Sequence, residues 1–467
     1  MKNAVSRIAI VIVTLCLAAP VAAEEVGLPF SVTRVTDNVL VFTEHSPWRS
    51  NHVVISTDRG LVVVDPGGSP AIARLLRQAI ANELGQRRIV YVVNHHDHWG
   101  HSWGSVAFPE ALVIGHEDSA QIMEATANFV DVRMDRFRPQ LEEALTELAE
   151  VDPGSADAKT ARERRDQAEW IISGLSEPGF EVRTPDLSFS ERLVLDLGNL
   201  SLEFHYLGRG HSATDTMLFI PEEKVLLIGC FFFINEGLPL FGFQPQLDVD
   251  RWLEVFGEVL DGDAPVAHVV PGQHALWTPD ELRGWRDYIS GLWRDVQECE
   301  AEGITLATTQ ERLPVPAATA ELAGVAIDDE QLQAYHRANV ELFWRQLKEN
   351  ASALFEQTLN ERGIEAALAR YDELRLLPEG EVFFSENDFN ALGYRLLLDQ
   401  QVEAAIAIFD LNVKANPESW NVYDSLGEAH MAHGDRDRAI ELYRRSLELN
   451  PDNGNAVTML ERLGVEP

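Results

Sequence analysis

An α+β fold is predicted: a layered, strand-rich domain interrupted by a helical hairpin and followed by an all-α repeat module. Three observations predict it. Short apolar strand patterns alternate with helical stretches from Pro29 to about Val270. A block at 117–180 is rich in Glu, Ala, Arg and Leu, with a Pro153-Gly154-Ser155 break in its middle. Near the C-terminus, paired positions recur every 34 residues. The 467 residues suffice for several domains, at about 100–200 residues each.

Residues 1–23 read as an export signal. Lys2 and Arg7 precede an apolar run at 8–19, and Val21 and Ala23 are small residues before a cleavage point. The run is shorter than the roughly 18 residues that a bilayer span needs, and no later stretch is apolar for long enough. A periplasmic or secreted location is expected. Net charge is −37, and losing Lys2 and Arg7 takes it to −39, since no acidic residue precedes Glu24. Such a surface repels nucleic acid and anionic membrane, so neither is an expected partner.

Strands are expected at 39–43 and 52–56, with Asp58-Arg59-Gly60 turning the chain into 61–65. A helix follows at 69–84, with Ile72, Leu75, Leu76 and Ile80 on one face. A short strand at 88–93 ends in a histidine cluster, and the next strand is at 112–114. The block at 117–180 is an inserted helical hairpin, either a lid or a packing surface. Strand patterns return at 193–207, 216–220 and 224–228. A helix at 250–260, a strand at 267–270 and a helix at 279–300 complete a domain placed at 24–304. In that last helix Trp285, Ile289, Leu292 and Val296 share a side. The segment 305–350 is expected to hold a linker, rich in Ala, Pro and Thr up to about 330, and then helix.

Residues 351–467 are read as helical repeats. Leu392-Gly393 recurs as Leu426-Gly427, Ala405-Ile406 as Ala439-Ile440, Phe409 as Tyr443, and Asn416-Pro417 as Asn450-Pro451. This pattern resembles tetratricopeptide (TPR) repeats, with clear copies at 384–417 and 418–451 and a degenerate copy or capping helix at 355–385. The resemblance implies a protein partner or homo-oligomerisation, although two repeats are few for a free-standing peptide groove.

Four motifs carry chemistry. Residues 94–104 read Asn-His-His-Asp-His-Trp-Gly-His-Ser-Trp-Gly, with four histidines in seven positions after a buried-type strand. Neutral imidazole is the commonest metal ligand, and zinc accepts N, S and O donors. The others are Gly208-Arg209-Gly210-His211-Ser212-Ala213-Thr214-Asp215, Leu226-Leu227-Ile228-Gly229-Cys230 and Val269-Val270-Pro271-Gly272-Gln273-His274. Cys16 leaves with the signal, so no disulfide framework is implied. A single Cys230–Cys299 bond and a metal role for Cys230 both stay open.

In this order the motifs resemble those of the metallo-β-lactamase superfamily, which implies an αββα sandwich. The family's His-x-His-x-Asp-His falls on His96, His98 and His101, with Gly100 where Asp is expected. Placing Asp97-His98 as the Asp-His pair would put Val93 at the first histidine, and that register is rejected. The resemblance implies a first metal held by His96, His98 and His211. It implies a second held by His101, Cys230 and His274, the last because Gln273 occupies the family's histidine position. One or two Zn2+ ions per chain are expected, with Asp97 and His116 as candidates for supporting positions.

Trp48, Arg209, Phe231 and Phe233 are candidate contacts to a small-molecule substrate, with core packing the plain alternative for the phenylalanines. The implied reaction is attack by metal-bound hydroxide on a small, partly hydrophobic ester, lactone or β-lactam-type substrate. The alternative is a catalytically degenerate fold serving as a repeat-based scaffold, which Gly100 and Gln273 favour. A non-haem iron oxidoreductase would need the carboxylate missing at Gly100.

Overall fold

Runs of Val, Ile and Leu, whose branched side chains suit a pleated surface, build two stacked sheets. The computed structural model describes residues 28–467 except 128–129, 153, 236–237, 241–246, 263, 379–380, 452 and 467. The expected export segment 1–23 lies outside the described residues. The first sheet has seven strands in sequence order: β1 (Phe30–Arg34), β2 (Val39–Glu44), β3 (Asn51–Thr57), β4 (Gly60–Val64), β5 (Ile89–Val93), β6 (Leu112–His116) and β7 (Leu187–Phe189). β1 to β4 pair antiparallel, and β4 to β7 pair parallel.

The second sheet comprises β8 (Arg192–Asp196), β9 (Ser201–Tyr206), β10 (Thr216–Ile220) and β11 (Val225–Gly229). A short hairpin follows, β12 (Phe233–Asn235) with β13 (Leu238–Leu240), and then β14 (His268–Pro271). β14 joins the second sheet at its edge, parallel to β11. Val41, Val53, Val62 and Val93 of the first sheet meet Phe204, Leu218, Leu227 and Val270 of the second in a shared core. A parallel pair needs a crossover connection, and helices supply it. α1 (Pro70–Leu84), capped by Ser69, joins β4 to β5 and buries Ile72, Leu76 and Ile80 on the first sheet's outer face. A short turn of helix, α2 (Trp99–Ser102), follows β5.

The expected hairpin insertion forms α3 (Ser119–Ala127), α4 (Val130–Glu150) and α5 (Ala156–Leu175). α5 leans on α1, where Ser69 Oγ donates to the Trp170 carbonyl at 2.8 Å. α6 (Val249–Leu260) and α7 (Pro279–Ala301) cover the second sheet, burying Trp252, Phe256, Trp285 and Ile289. The layers therefore run helix, sheet, sheet, helix: an αββα sandwich.

The Ala/Pro/Thr-rich segment differs from the linker expected there. It forms α8 (Leu306–Arg312) and α9 (Ala317–Ala323), and Leu313 and Leu322 pack on the α6–α7 core. α10 (Glu330–Gln346) then buries Val340, Phe343 and Trp344 in that same core. Composition alone hid this, because the few apolar residues that dock are spaced among prolines and alanines.

Beyond a two-residue bridge, β15 (Glu349–Asn350) with β16 (Val382–Phe383), stand α11 (Ala351–Arg362) and α12 (Ile364–Leu374). The pairs α13 (Glu386–Leu398) with α14 (Val402–Ala415) and α15 (Trp420–His433) with α16 (Arg436–Leu449) follow, and α17 (Gly454–Arg462) caps the stack. The 34-residue period has a packing cause. Phe409 lies against Gly393, and Tyr443 lies against Gly427, each ring filling the space that a glycine leaves on the partner helix.

Candidate metal centre

β4 pairs parallel with β5, and β11 with β14, and each of the four leads into a candidate residue: Asp65, the 94–101 loop, Cys230 and the 272–274 turn respectively. Loops at the carboxyl ends of such strands converge on one edge, where open α/β sheets place their ligands. The His211 loop joins from β10, whose Thr216 N–H donates to the His95 carbonyl at 3.0 Å and ties the two sheets together.

Two groups of donors form there. His96, His98 and His211 each offer a ring nitrogen, and these nitrogens all lie within 4.8 Å of one another. His98 Nδ1 is 3.1 Å from His211 Nε2. His96 is 1% exposed, and among the described residues neither of its ring nitrogens has a hydrogen-bond partner. Burial, with the histidines around it, holds the His96 imidazole well below its usual range, and burial does the same at His211. Both rings are therefore neutral, with lone pairs ready for a metal. An imidazole buried without partners is costly, so the donor set fits a cation.

The second group is His95, His101 and Cys230, whose donor atoms also lie within 4.8 Å of one another. His101 Nε2 stands 3.2 Å from Cys230 Sγ. Burial opposes ionisation of the thiol, yet His101 and His95 outweigh it and bring Cys230 down to about 6. Burial likewise opposes protonation of His101, but Cys230 and Asp65 raise it to about 9. Asp65 sits below the usual carboxylate range, because His95 and His101 outweigh its burial.

Several other expected residues sit elsewhere. His274 joins neither group; its backbone, at φ 65°, is held by Arg49 and Asn51 across the 51–274 contact. Arg209 is paired with Asp248, Nε to Oδ2 at 3.2 Å, so it is not a free anion anchor. Phe231 is 1% exposed and packs on Trp252 and Phe256, a core residue rather than a cleft wall. Phe233 starts β12, and its side chain lies outside the described residues. Cys230 and Cys299 are both free thiols, so the single disulfide left open does not form.

Asp97 and His116 act on the loops. Thr214 Oγ1 donates to Asp97 Oδ1 at 2.7 Å and accepts the Asp97 N–H at 3.0 Å, clamping the His96–His98 loop to the His211 loop. His116 stacks on Tyr206 at 4.0 Å, and the Tyr206 hydroxyl donates to the Ala213 carbonyl at 3.0 Å. Asp215, buried beneath the same loop, is pushed up to about 7 by that burial, although it accepts bonds from Ser212. Trp48 packs edge-on against Trp99, the residue after His98, at 5.3 Å, and against Phe137 of α4 at 5.8 Å. The insertion thus rests on the metal-binding loop.

Sequence reading missed His95 and Asp65. His95 precedes the motif spacing, and Asp65 lies 30 positions upstream of it. The sole signal for Asp65 was its place at the end of the strand expected at 61–65.

The family model described as the metallo-beta-lactamase superfamily matches residues 45–299. The chain belongs to the metallo-β-lactamase superfamily. A tetratricopeptide repeat model matches residues 420–453. A metallo-beta-lactamase type 2 from Bacteroides fragilis is 28% identical over 104 residues, 22% of this chain and 41% of that protein. One from Bacillus sp. (strain 170) is 24% identical over 247 residues, 52% of this chain and 75% of that protein. This chain therefore spans less than half of the first relative's length.

Among solved structures, a metallo-beta-lactamase from Pontibacter korlensis is 17% identical with a TM-score of 0.37, over 56% of this chain and 99% of that one. A stereoselective inverting sec-alkylsulfatase from Pseudomonas sp. is 13% identical with a TM-score of 0.47, over 94% of this chain and 66% of that one. Among the described residues, no helix is long and apolar enough to cross a membrane.

Proposed function

We propose that this chain is an exported zinc hydrolase acting on small, partly apolar substrates of the ester, lactone or β-lactam type. The carrying observation is the buried trio His96, His98 and His211, with nitrogens within 4.8 Å of one another and the His96 ring lacking hydrogen-bond partners among the described residues. Zinc bound there supplies Lewis acidity and a water whose pKa falls to about 7. The chain's own residues do the rest. Neutral His96 and His211 present lone pairs without first losing a proton. The Thr214–Asp97 clamp fixes the separation of the two ligand loops. Trp48 and Trp99, half-buried beside His98, form an apolar wall for a substrate body.

The names of the two metallo-beta-lactamase relatives favour a β-lactam as the first substrate to try. The basic and apolar pattern of residues 1–23 supports export. The repeats support a protein partner or self-association. The test is zinc content by elemental analysis, with turnover of a chromogenic β-lactam and a chromogenic ester, for the wild type and His96→Ala. Zinc in the wild type and a loss in the variant exceeding the roughly 10–100-fold that supporting residues contribute is expected. Equal turnover in the two proteins overturns the reading.

A further inference from the structure

The helical repeats gather polar side chains on neighbouring helices. Asn390 and Tyr394 on α13 stand one 34-residue period before Asp424 and Glu428 on α15. Asn455 of α17 lies beside the two acids. We propose that Asp424 and Glu428 together receive an arginine side chain from an extended basic segment of a partner protein. The proposal rests on the reading of the repeats as a partner-binding module, and it names the chemistry of that partner.

Asp424 is 6% exposed and Glu428 half-buried, one turn apart on the same face of α15. A single amide nitrogen bridges them: Asn455 Nδ2 donates to Asp424 Oδ2 at 2.8 Å and to Glu428 Oε1 at 2.9 Å. Asn453 Nδ2 donates to Asp424 Oδ1 at 2.8 Å. From α13 the Tyr394 hydroxyl donates to Ser425 Oγ at 3.1 Å. All these donors are neutral, and among the described residues no cation pairs with either carboxylate. Burial pushes both carboxyls above the usual range, and Asp424 adds to the effect at Glu428. Like charges one turn apart repel, and a carboxylate drawn out of water is costly until a cation meets it.

A second, independent observation points to a ligand. Tyr443 is fully buried, and its hydroxyl has no hydrogen-bond partner among the described residues. Its ring lies on Gly427, between Asp424 and Glu428 in the chain, with Cζ 3.2 Å from where a Cβ on Gly427 would stand. The hydroxyl on that Cζ is thus aimed at the stretch of α15 that carries the pair. Burial raises the phenol, and Glu428 and Asp424 raise it further. On α13, Asn390 Oδ1 is a buried acceptor without a partner. A guanidinium suits this set, since it is planar, always charged and offers five N–H donors to carboxylate and amide oxygens. Calcium, which takes about six to eight oxygens, would find too few. The net charge of −37 favours a basic partner over an acidic one.

The experiment measures binding of a fluorescein-labelled glycine peptide carrying alternate arginines to the full chain, by anisotropy at about 0.15 M salt. The same peptide with citrulline for arginine is the uncharged control. Near-UV circular dichroism confirms that each variant is folded. The wild type is expected to bind the arginine peptide and not the citrulline one. Asp424→Asn with Glu428→Gln should weaken binding by about tenfold or more. Asp437→Asn with Glu448→Gln removes the same charge from exposed positions of α16 and should change it less than about threefold. Glu428→Gln alone should weaken binding while leaving the thermal midpoint equal or higher, which a merely structural acid would not do. Equal binding of the two peptides, or unchanged affinity in the folded double variant, would overturn the proposal. So would a lowered midpoint in Glu428→Gln, or no binding by the wild type. Sedimentation equilibrium keeps the two readings apart: a chain that self-associates yet ignores the peptide retains the module's role and loses the arginine site.

Discussion

Gly272 backs directly onto Cys230: a Cβ at position 272 would stand 2.6 Å from the thiol sulfur and 3.0 Å from the Gly229 carbonyl carbon. Both neighbours belong to the turn after β11, whose Gly229 carbonyl accepts the Gly272 N–H at 2.7 Å. The turn cannot yield without moving the thiol. Gly272→Ala should therefore cost stability by about 1–3 kcal/mol through overpacking. It should also shift Cys230 away from His101. Urea unfolding measures the first effect, and a changed rate of Cys230 alkylation measures the second.

His336 makes the α8–α10 region sensitive to acid. The Leu313 carbonyl can only accept, so His336 Nε2 carries the proton and donates to it at 2.9 Å, while Nδ1 accepts from the Tyr288 hydroxyl at 2.8 Å. Burial holds the His336 imidazole below its usual range, with Leu313 acting in opposition. A depressed histidine gives stability that is fully present above the unfolded value, about 6.5, and is lost as pH falls through the folded value. The wild type should thus lose stability below about pH 6.5, by no more than about 1.4 kcal/mol per pH unit from this group. His336→Gln should flatten that slope. Equal slopes in urea titrations at pH 7 and pH 5.5 would contradict the assignment.

The repeat glycines predict a penalty where helix propensity predicts a gain. Alanine is favoured over glycine in a helix by about 1 kcal/mol, yet a Cβ on Gly427 would stand 2.9 Å from the Tyr443 ring. Tyr443 is fully buried, so the ring has nowhere to go. Overpacking at about 1–3 kcal/mol should prevail. Gly427→Ala is expected to lower the thermal midpoint of the repeat module and to leave zinc content unchanged, which differential scanning and elemental analysis together check.

Much of the fold was legible because its signals are local. The Asp58-Arg59-Gly60 turn sets the β3–β4 hairpin, with Thr57 opposite Gly60. The face shared by Trp285, Ile289, Leu292 and Val296 is the buried face of α7. The trio His96, His98 and His211 was legible because the two motifs that carry it resemble, in chain order, those of the metallo-β-lactamase superfamily. The α8–α9 segment was not legible, since its docking depends on Leu313 and Leu322 meeting a helix that no local pattern announces. Phe231 misled for a related reason: an apolar run after a strand suits a cleft or a core equally, and packing on Trp252 and Phe256 decided for the core.

The sequence by itself determined the periodicities, the 34-residue repeat and the presence of a histidine-rich strand end, because each depends on neighbours within a few residues or on a repeated spacing. Tertiary structure alone decided which donors meet. His95 and Asp65 lie 30 positions apart, on adjacent parallel strands β4 and β5. Cys230 reaches them from the second sheet, which shares a core with the first and whose Thr216 N–H donates to the His95 carbonyl. Donors from separate strands converge through the register of the sheets and the stacking of one sheet on the other, and no local pattern of residues encodes either.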